Sequence, residues 1–234
     1  MGSFLDRRID SVDQRLVLLA PPFASIPSHF RNVTVDSRRH RRHVQELQRL
    51  RGGIYLSDGA VRRDQLSPDG LHQTPEDLKS WHLLMFRERR HLSSCAWYLN
   101  HEDARFDQLR VRSCPLRDEE KWRVPVSHAV ESELALARSE GVGYAEVGGW
   151  AISTESRCSS EGVLVALATY SLARVLGGAL VMTTATVRHC SSAILKRLGG
   201  EPLGYDGIPL PSYFDARYGC QMELLRFNTC IGGC

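Results

Sequence analysis

The chain has 234 residues, of which 42% are hydrophobic and 24% are charged, a composition typical of a globular protein with a buried core. It excludes a disordered chain, a collagen-like repeat and a small disulfide scaffold. No apolar run approaches the roughly 20 residues of a membrane-spanning helix, so we predict no transmembrane segment. The net charge of +3 indicates no class of partner by itself, but the charge is unevenly distributed along the chain.

The N-terminal part of the chain is predicted to carry an irregular arm and then a basic helix. Prolines interrupt residues 1–30, which predicts a short helix followed by the arm. Alternating β-branched residues over Asn32–Asp36 predict a short strand. A helix is predicted over 37–51, ended by the glycine pair that follows it. Nine arginines against three acidic residues make Arg31–Arg63 basic, which suits either an anionic partner or a solvated helix face.

The middle of the chain is predicted to form a β-hairpin and a helix. The apolar segments Trp81–Arg87 and Leu92–Asn100 flank a short charged link, which indicates two antiparallel strands. Helical periodicity follows over Ser127–Ser139 and stops before Gly141.

The C-terminal half has the clearest pattern. Strands are predicted over Tyr144–Ile152 and Ala179–Val187, with an apolar helix between them over Gly162–Leu176. This order indicates a right-handed βαβ crossover, in which the two strands are parallel. A helix over His189–Leu198 and a last strand over Tyr213–Phe227 complete the prediction.

The loop between the first parallel strand and its helix is the candidate binding site. It contains Arg157, Ser159, Ser160 and Gly162, and its small residues let backbone N–H groups converge at a helix N-terminus. Such a nest binds phosphate, and Arg157 adds a charge-assisted contact. Open α/β sheets also bind ligands beyond the carboxyl ends of their strands, where this loop lies. An ordinary connecting loop of similar composition is the alternative.

Glu146 lies inside the strand that precedes this loop. A carboxylate in a strand interior is costly to bury unless it is paired or functional. Desolvation makes a carboxylate more basic, which suits a general base near neutral pH. The alternative is a structural role, with Glu146 facing solvent or paired with an arginine.

The seven cysteines match no zinc-binding spacing, and the histidines form no ligand cluster, so we predict no metal. Without an export signal, the cysteines are interpreted as reduced thiols and the protein as cytoplasmic. We assign one α/β domain to residues 31–228, preceded by the arm over 1–30 and followed by a flexible tail over 229–234.

Together these features resemble the GNAT acyltransferase superfamily over roughly Val33 to Leu203. The donor-binding loop of that superfamily has the form [RQ]-x-x-G-x-[GA]. Here Arg157 and Gly162 match its ends, and Ser160 stands in place of the middle glycine. Serine still allows backbone N–H groups to reach a phosphate, with less conformational freedom than glycine.

Within the superfamily, three segments resemble the long-chain N-acyl amino acid synthases and the autoinducer (acyl-homoserine lactone) synthases. Leu47–Arg51 with Tyr55 is similar to R-L-R-x-x-V-Y, and Asp77–Leu84 is similar to D-x-x-S-x-H-L-L. Glu146–Ile152 is similar to E-x-x-R-x-A-V, except that Gly149 stands where the family has arginine.

The resemblance implies a mixed, mostly antiparallel twisted sheet with a central parallel strand pair and flanking helices. It implies an N-acyltransferase whose donor is an acyl-phosphopantetheine on acyl carrier protein, or acyl-CoA, and whose acceptor is the amine of an amino acid. Glu146 would be the base, and backbone N–H groups around Gly149–Ile152 would polarise the thioester carbonyl. The 157–162 loop would hold the donor phosphate. Leu195 occupies the place of the acidic tyrosine of many acetyl-transferring members, which favours a longer acyl group.

The same resemblance implies that an acidic carrier protein docks on the basic segment around Arg38, Arg39, Arg41 and Arg42. Two other reactions stay open: acetyl transfer from acetyl-CoA to a small amine, and homoserine-lactone synthesis, which requires S-adenosylmethionine. A nucleic-acid-binding module is the alternative outside enzymes. It is disfavoured because Tyr55 is the only aromatic residue of the basic segment that could stack on bases.

Overall fold

A computed structural model describes residues 14–28, 30, 33–34, 37–88 and 91–230. The α-helices in this part of the chain are α1 (Ser37–Ser57), α2 (Glu120–Glu140), α3 (Glu161–Val175) and α4 (Ser191–Arg197). The strands are β1 (Gln14–Leu19), β2 (Val33–Thr34), β3 (Trp81–Arg87), β4 (His91–His101), β5 (Gly143–Ile152), β6 (Ala179–Thr186), β7 (Glu201–Pro202), β8 (Gly204–Tyr205), β9 (Ile208–Pro209), β10 (Tyr213–Asp215) and β11 (Cys220–Asn228).

The chain divides into two compact units, and β4 and β5 each contribute to both. The first unit comprises the chain up to Tyr98 together with Gly149–Thr169. Its strands pair in the order β2-β1-β3-β4, with β3 antiparallel to both neighbours and β1 parallel to β2. Residues of α1 pack on this layer in an apolar cluster formed by Val17, Leu19, Val44, Leu47, Leu84, Phe86, Cys95 and Ala151.

The second unit comprises Leu99–Gly148 and the chain from Tyr170 onward. Its strands pair in the order β5-β6-β11-β10, and β7 also pairs with β11. The β5–β6 pair is parallel, from Gly143 opposite Ala179 to Val147 opposite Thr183, and the neighbouring pairs are antiparallel. The predicted α/β architecture, mostly antiparallel with a parallel pair, is therefore confirmed.

A short helix was predicted within residues 1–30, and the described residues of this segment form none. Gln14–Leu19 is a strand, β1, which pairs along its whole length with β3. Its side chains alternate in burial, with Val17 and Leu19 in the core. An alternation with a period of two is typical of a half-buried strand. Six residues are too few for this period to be recognised in the sequence.

Helix α1 continues to Ser57, six residues past its predicted end at Arg51. Gly52 lies inside the helix, where the absence of a side chain allows another segment to pack closely against it. A Cβ atom there would collide with the carbonyl oxygen of Gly70, in the Ser67–Gly70 turn that lies against the helix. The turn is held there by a backbone hydrogen bond from His72 to Gln48.

Three further boundaries differ from the prediction. Helix α2 begins at Glu120 and continues through Pro125, which removes one backbone donor. The predicted helix start at His189 is a 3₁₀ turn in which His189 has a positive φ, so α4 begins at Ser191. The predicted last strand is a hairpin of β10 and β11, because the chain turns between Asp215 and Cys220.

None of the described helices combines the length and apolarity needed to cross a membrane. The six cysteines of the described chain are free thiols: Cys95, Cys114, Cys158, Cys190, Cys220 and Cys230.

Candidate functional site

The loop predicted to bind a donor phosphate joins β5 to α3 and is closed by its own hydrogen bonds. The Ser159 hydroxyl donates to the carbonyl of Ser156 (2.7 Å) and accepts the N–H of Glu161 (3.2 Å). The N–H groups of Ser160, Gly162 and Val163 have no acceptor among the described residues. Unbonded N–H groups at a helix N-terminus bind anions, so the loop has the donors that a phosphate needs.

Two ion pairs anchor the ends of this loop. Nη2 of Arg157 lies 2.8 and 2.7 Å from the two carboxylate oxygens of Asp58, just after α1. At the other end Glu161, which is fully buried, forms an ion pair with Nε of Arg87 (2.8 Å) and accepts a hydrogen bond from the side-chain amide of Gln14 (3.1 Å). The sequence analysis missed these partners because they lie far from the loop in sequence.

The arginine of the loop therefore has a structural partner as well as its predicted ligand. Only Nη2 of Arg157 bonds to Asp58, and its other guanidinium nitrogens bond to no described residue. About a third of its side chain is exposed (33%). A contact between Arg157 and phosphate stays a prediction that this geometry allows.

Gly162 and Ile152, both predicted site residues, lie in contact. A Cβ atom on Gly162 would collide with Cδ1 of Ile152 and lie 3.2 Å from the indole of Trp150. The glycine thus lets the end of β5 pack directly on the first turn of α3. Its role here is close packing, since its φ is not in the left-handed region.

Gly149 is required at its position for two reasons. Its φ of +65° lies in the left-handed region, and a Cβ atom there would collide with the indole of Trp97 and lie 3.1 Å from Nη1 of Arg51. The arginine that the resemblance expects at this place therefore cannot be accommodated. A guanidinium nevertheless lies beside the strand, supplied by Arg51 from α1.

We expect Gly149→Ala to destabilise the protein by at least about 1–2 kcal/mol, because of the left-handed backbone, with the collision against Trp97 adding to this loss. Urea unfolding measures the effect. Gly53→Ala is the matched control, since Gly53 is an exposed α1 residue with open space around it. The control should gain up to about 1 kcal/mol. Equal stability of Gly149→Ala and the wild-type protein would contradict the requirement for glycine at this position.

Two of the three motif segments behind the family resemblance, Leu47–Arg51 and Asp77–Leu84, meet in a buried polar cluster. Nη2 of Arg51 lies 2.7 Å from both carboxylate oxygens of Asp77, and both side chains are almost completely buried. Gln48 and Thr74 also donate to this carboxylate, and Nε2 of His82 lies 2.8 Å from the Asp77 carbonyl. These two motifs thus contribute to one hydrogen-bonded network.

Burial lowers the pKa of His82 to about 4, with the nearby Arg51 charge acting in the same direction. The hydrogen bond to the Asp77 carbonyl opposes this shift without cancelling it. His82 is therefore neutral in the folded protein near neutral pH, with its Nε2 proton donated to that carbonyl.

Since unfolded His82 binds a proton near pH 6.5 and folded His82 near pH 4, stability should fall as the pH drops between these values. We expect His82 to account for a loss of about 2 kcal/mol between pH 7 and pH 5. Urea unfolding at both pH values should show a flatter dependence for His82→Gln. His91→Gln, at the exposed start of β4, should keep the wild-type dependence. Parallel curves for the wild type and His82→Gln would contradict the prediction.

Glu146 is buried inside β5, with 4% of its surface exposed, and both of its oxygens are hydrogen-bonded. Oε1 accepts the backbone N–H of Arg110 (2.9 Å), and Oε2 lies 3.1 Å from Nε2 of His101, the last residue of β4. Glu146 therefore does not face solvent, and it pairs with no arginine side chain of the described residues. No sequence pattern indicated His101, since 45 residues separate it from Glu146.

The arginines predicted to dock a carrier protein lie on the first turns of α1 and are exposed: Arg38, Arg39, Arg41 and Arg42. Arg42 pairs with Glu46 one turn further on (3.0 Å). This end of α1 thus has a basic surface. Within the described chain, no group of three His, Cys, Asp or Glu side chains is arranged to hold a metal ion.

No protein-family model matches this sequence, and no curated protein matches it significantly. Solved structures do. FeeM, an N-acyl amino acid synthase from uncultured soil microbes, is 15% identical over 92% of each chain, with a TM-score of 0.50. BjaI, a CoA-dependent acyl-homoserine lactone synthase solved with SAM and isopentyl-CoA, is 13% identical over 91% of this chain and 82% of its own, with a TM-score of 0.53. The yncA structure from Salmonella typhimurium with its cofactor acetyl-CoA is 8% identical over 83% and 92%, with a TM-score of 0.51. This chain thus has the GNAT-like acyltransferase fold.

Proposed function

We propose that this protein is an N-acyltransferase that moves an acyl group from a thioester donor to the amine of an amino acid. One observation carries the proposal: the anchored loop after β5 presents, at the start of α3, the N–H groups of Ser160, Gly162 and Val163, which have no acceptor among the residues that the structure describes. The fold neighbours support it, since FeeM is an N-acyl amino acid synthase and BjaI was solved with isopentyl-CoA.

In the proposed reaction, these N–H groups and the free guanidinium nitrogens of Arg157 hold the phosphate of the donor. Asp58 and Arg87 fix the loop in advance, so little conformational entropy is lost on binding. An acyl-phosphopantetheine and acyl-CoA both bring a phosphate to this place. The donor site therefore suits either carrier.

The thioester carbonyl is polarised by backbone N–H groups of β5 between Gly149 and Ile152. Side chains fix this part of the strand through its carbonyl groups. The Tyr55 hydroxyl donates to the carbonyl of Trp150 (3.2 Å), and the Cys95 thiol lies 3.6 Å from the carbonyl of Gly149. A strand held in this way needs little rearrangement when charge develops on the carbonyl oxygen.

Glu146, on the same strand, accepts the proton that the acceptor ammonium must lose before its nitrogen can attack. The attack forms the amide N–C bond and breaks the C–S bond of the thioester, and the second proton that the nitrogen loses neutralises the departing thiolate. A free thiol has a pKa of about 8.5, so the thiolate can leave without a strong acid. This agrees with Leu195 at the place of the acidic tyrosine found in many acetyl-transferring members.

For the acyl group we propose a long chain, and for the donor an acyl carrier protein that docks on the arginines at the start of α1. Reversing one exposed charge of this surface tests the docking. Arg41→Glu should raise the KM for acyl carrier protein and leave the KM for acyl-CoA of the same chain length unchanged, because only the carrier protein bears the acidic surface. An equal change for both donors would overturn the docking assignment.

The activity itself is tested by incubating the purified protein with acyl-CoA or acyl carrier protein of several chain lengths and a mixture of amino acids. Mass spectrometry should find long-chain N-acyl amino acids, in the assay and in lipid extracts of cells that overproduce the protein. Acetylated amines alone would favour an acetyltransferase, as in the yncA fold neighbour. A lactone product formed only with S-adenosylmethionine would favour the BjaI-type reaction. Absence of acyl transfer from every thioester would overturn the proposal.

A further inference from the structure

Glu146, the base of the proposed reaction, is buried, so the proton that it accepts needs a path to solvent. Each turnover leaves one proton on Glu146, and the carboxylate must lose it before the next. Oε1 accepts the Arg110 backbone N–H, and a peptide N–H is a donor that takes up no proton. Oε2 is the oxygen through which the proton can leave.

His101 is the group that meets this oxygen. Its Nε2 lies 3.1 Å from Oε2, and an imidazole can gain a proton at one nitrogen while it carries one at the other. Its side chain is 13% exposed against 6% for Glu146, and its Nδ1 bonds to no described residue. The exposed residue Glu102 follows it directly in the chain. His101 thus contacts the buried carboxylate at one ring nitrogen, and its other ring nitrogen has no partner in the described part of the chain.

We propose that His101 carries the proton from Glu146 to solvent, an inference that rests on the proposed N-acyltransferase function. An N–H bond of the acceptor ammonium breaks, and an O–H bond forms on Glu146. That proton passes from Oε2 to Nε2 of His101, which becomes an imidazolium. The imidazolium then loses its Nδ1 proton to water or to a buffer base, which restores the carboxylate and leaves a neutral imidazole with its proton on Nε2. Proton exchange with water returns the Nδ1–H tautomer before the next turnover.

His101→Gln is the test variant, because the glutamine amide can still donate a hydrogen bond to Oε2 but cannot relay a proton. We expect its kcat in dilute buffer to fall by about tenfold or more, with the KM values of donor and acceptor unchanged. Added imidazole should restore kcat in proportion to its concentration, since a small base can take the proton directly. His91→Gln, in the exposed part of the same strand, should behave as the wild type.

Rescue separates a relay from a structural role. If His101 only orients Glu146, His101→Gln keeps full activity, and that result overturns the relay. A loss of kcat that imidazole leaves unchanged also overturns it. Both results need a wild-type protein that transfers acyl groups, and they leave the proposed function intact. An inactive wild-type protein overturns the function and the relay together.

Discussion

Replacing Glu146 with glutamine should lower kcat by about 100-fold to 10,000-fold, the range that general base catalysis contributes. Glutamine has the shape of glutamate, and its amide oxygen can still accept the Arg110 N–H. It cannot take the proton of the acceptor ammonium. We therefore expect the fold and the KM for the donor to stay unchanged, because the predicted donor contacts are made by the 157–162 loop. Steady-state kinetics with the preferred thioester measure kcat and KM separately.

Glu102→Gln is the matched control for this variant. It makes the same chemical change one residue after His101, at an exposed position, and should keep wild-type kinetics. Circular dichroism and the unfolding midpoint show whether either variant has lost its structure. Unchanged turnover in Glu146→Gln would discard Glu146 as the base. Imidazole should leave the activity of this variant low, since the base itself is missing.

The elements that sequence analysis predicted best are those whose pattern is continuous. The β3–β4 hairpin and the β5–α3–β6 segment have long apolar runs, and their boundaries agree with the structure to within a few residues. The errors fall where local signals are short or ambiguous. β1 is six residues long, and Gly52 looks like a helix end until the Ser67–Gly70 turn is seen against it.

The candidate site shows the same division. Glu146 and the small residues of the donor loop could be singled out because strand position and composition are local properties. Their partners could not. Asp58 lies 99 residues from Arg157 and His101 lies 45 residues from Glu146, and only the folded chain brings each pair together. Sequence reasoning thus indicated the candidate site residues and missed the residues that contact them.

The buried pair of Arg51 and Asp77 should show the largest effect on stability. We expect Arg51→Met to lower the free energy of unfolding by about 3–5 kcal/mol, because it leaves a buried carboxylate without its countercharge. Burial by itself would raise the pKa of Asp77, but the Arg51 charge and the hydrogen bonds from Thr74 and Gln48 lower it below its usual value. The pair's contribution is therefore fully present above pH 3.8 and is lost as the pH falls below it, so urea unfolding at pH 7 measures it in full.

Two comparisons separate burial from charge. Arg62→Met breaks an ion pair with Asp64 in which both side chains are largely exposed (73% and 69%), and it should cost less than about 1 kcal/mol. The double variant Arg51→Met with Asp77→Asn removes both buried charges and should be more stable than Arg51→Met, because no unpaired ion is left in the core. Nη1 of Arg51 also lies beside Gly149, so the single variant should lose acyl transfer at temperatures where it is still folded. If Arg51→Met lowers the free energy of unfolding no more than Arg62→Met does, the buried Arg51–Asp77 pair does not make the predicted contribution to stability.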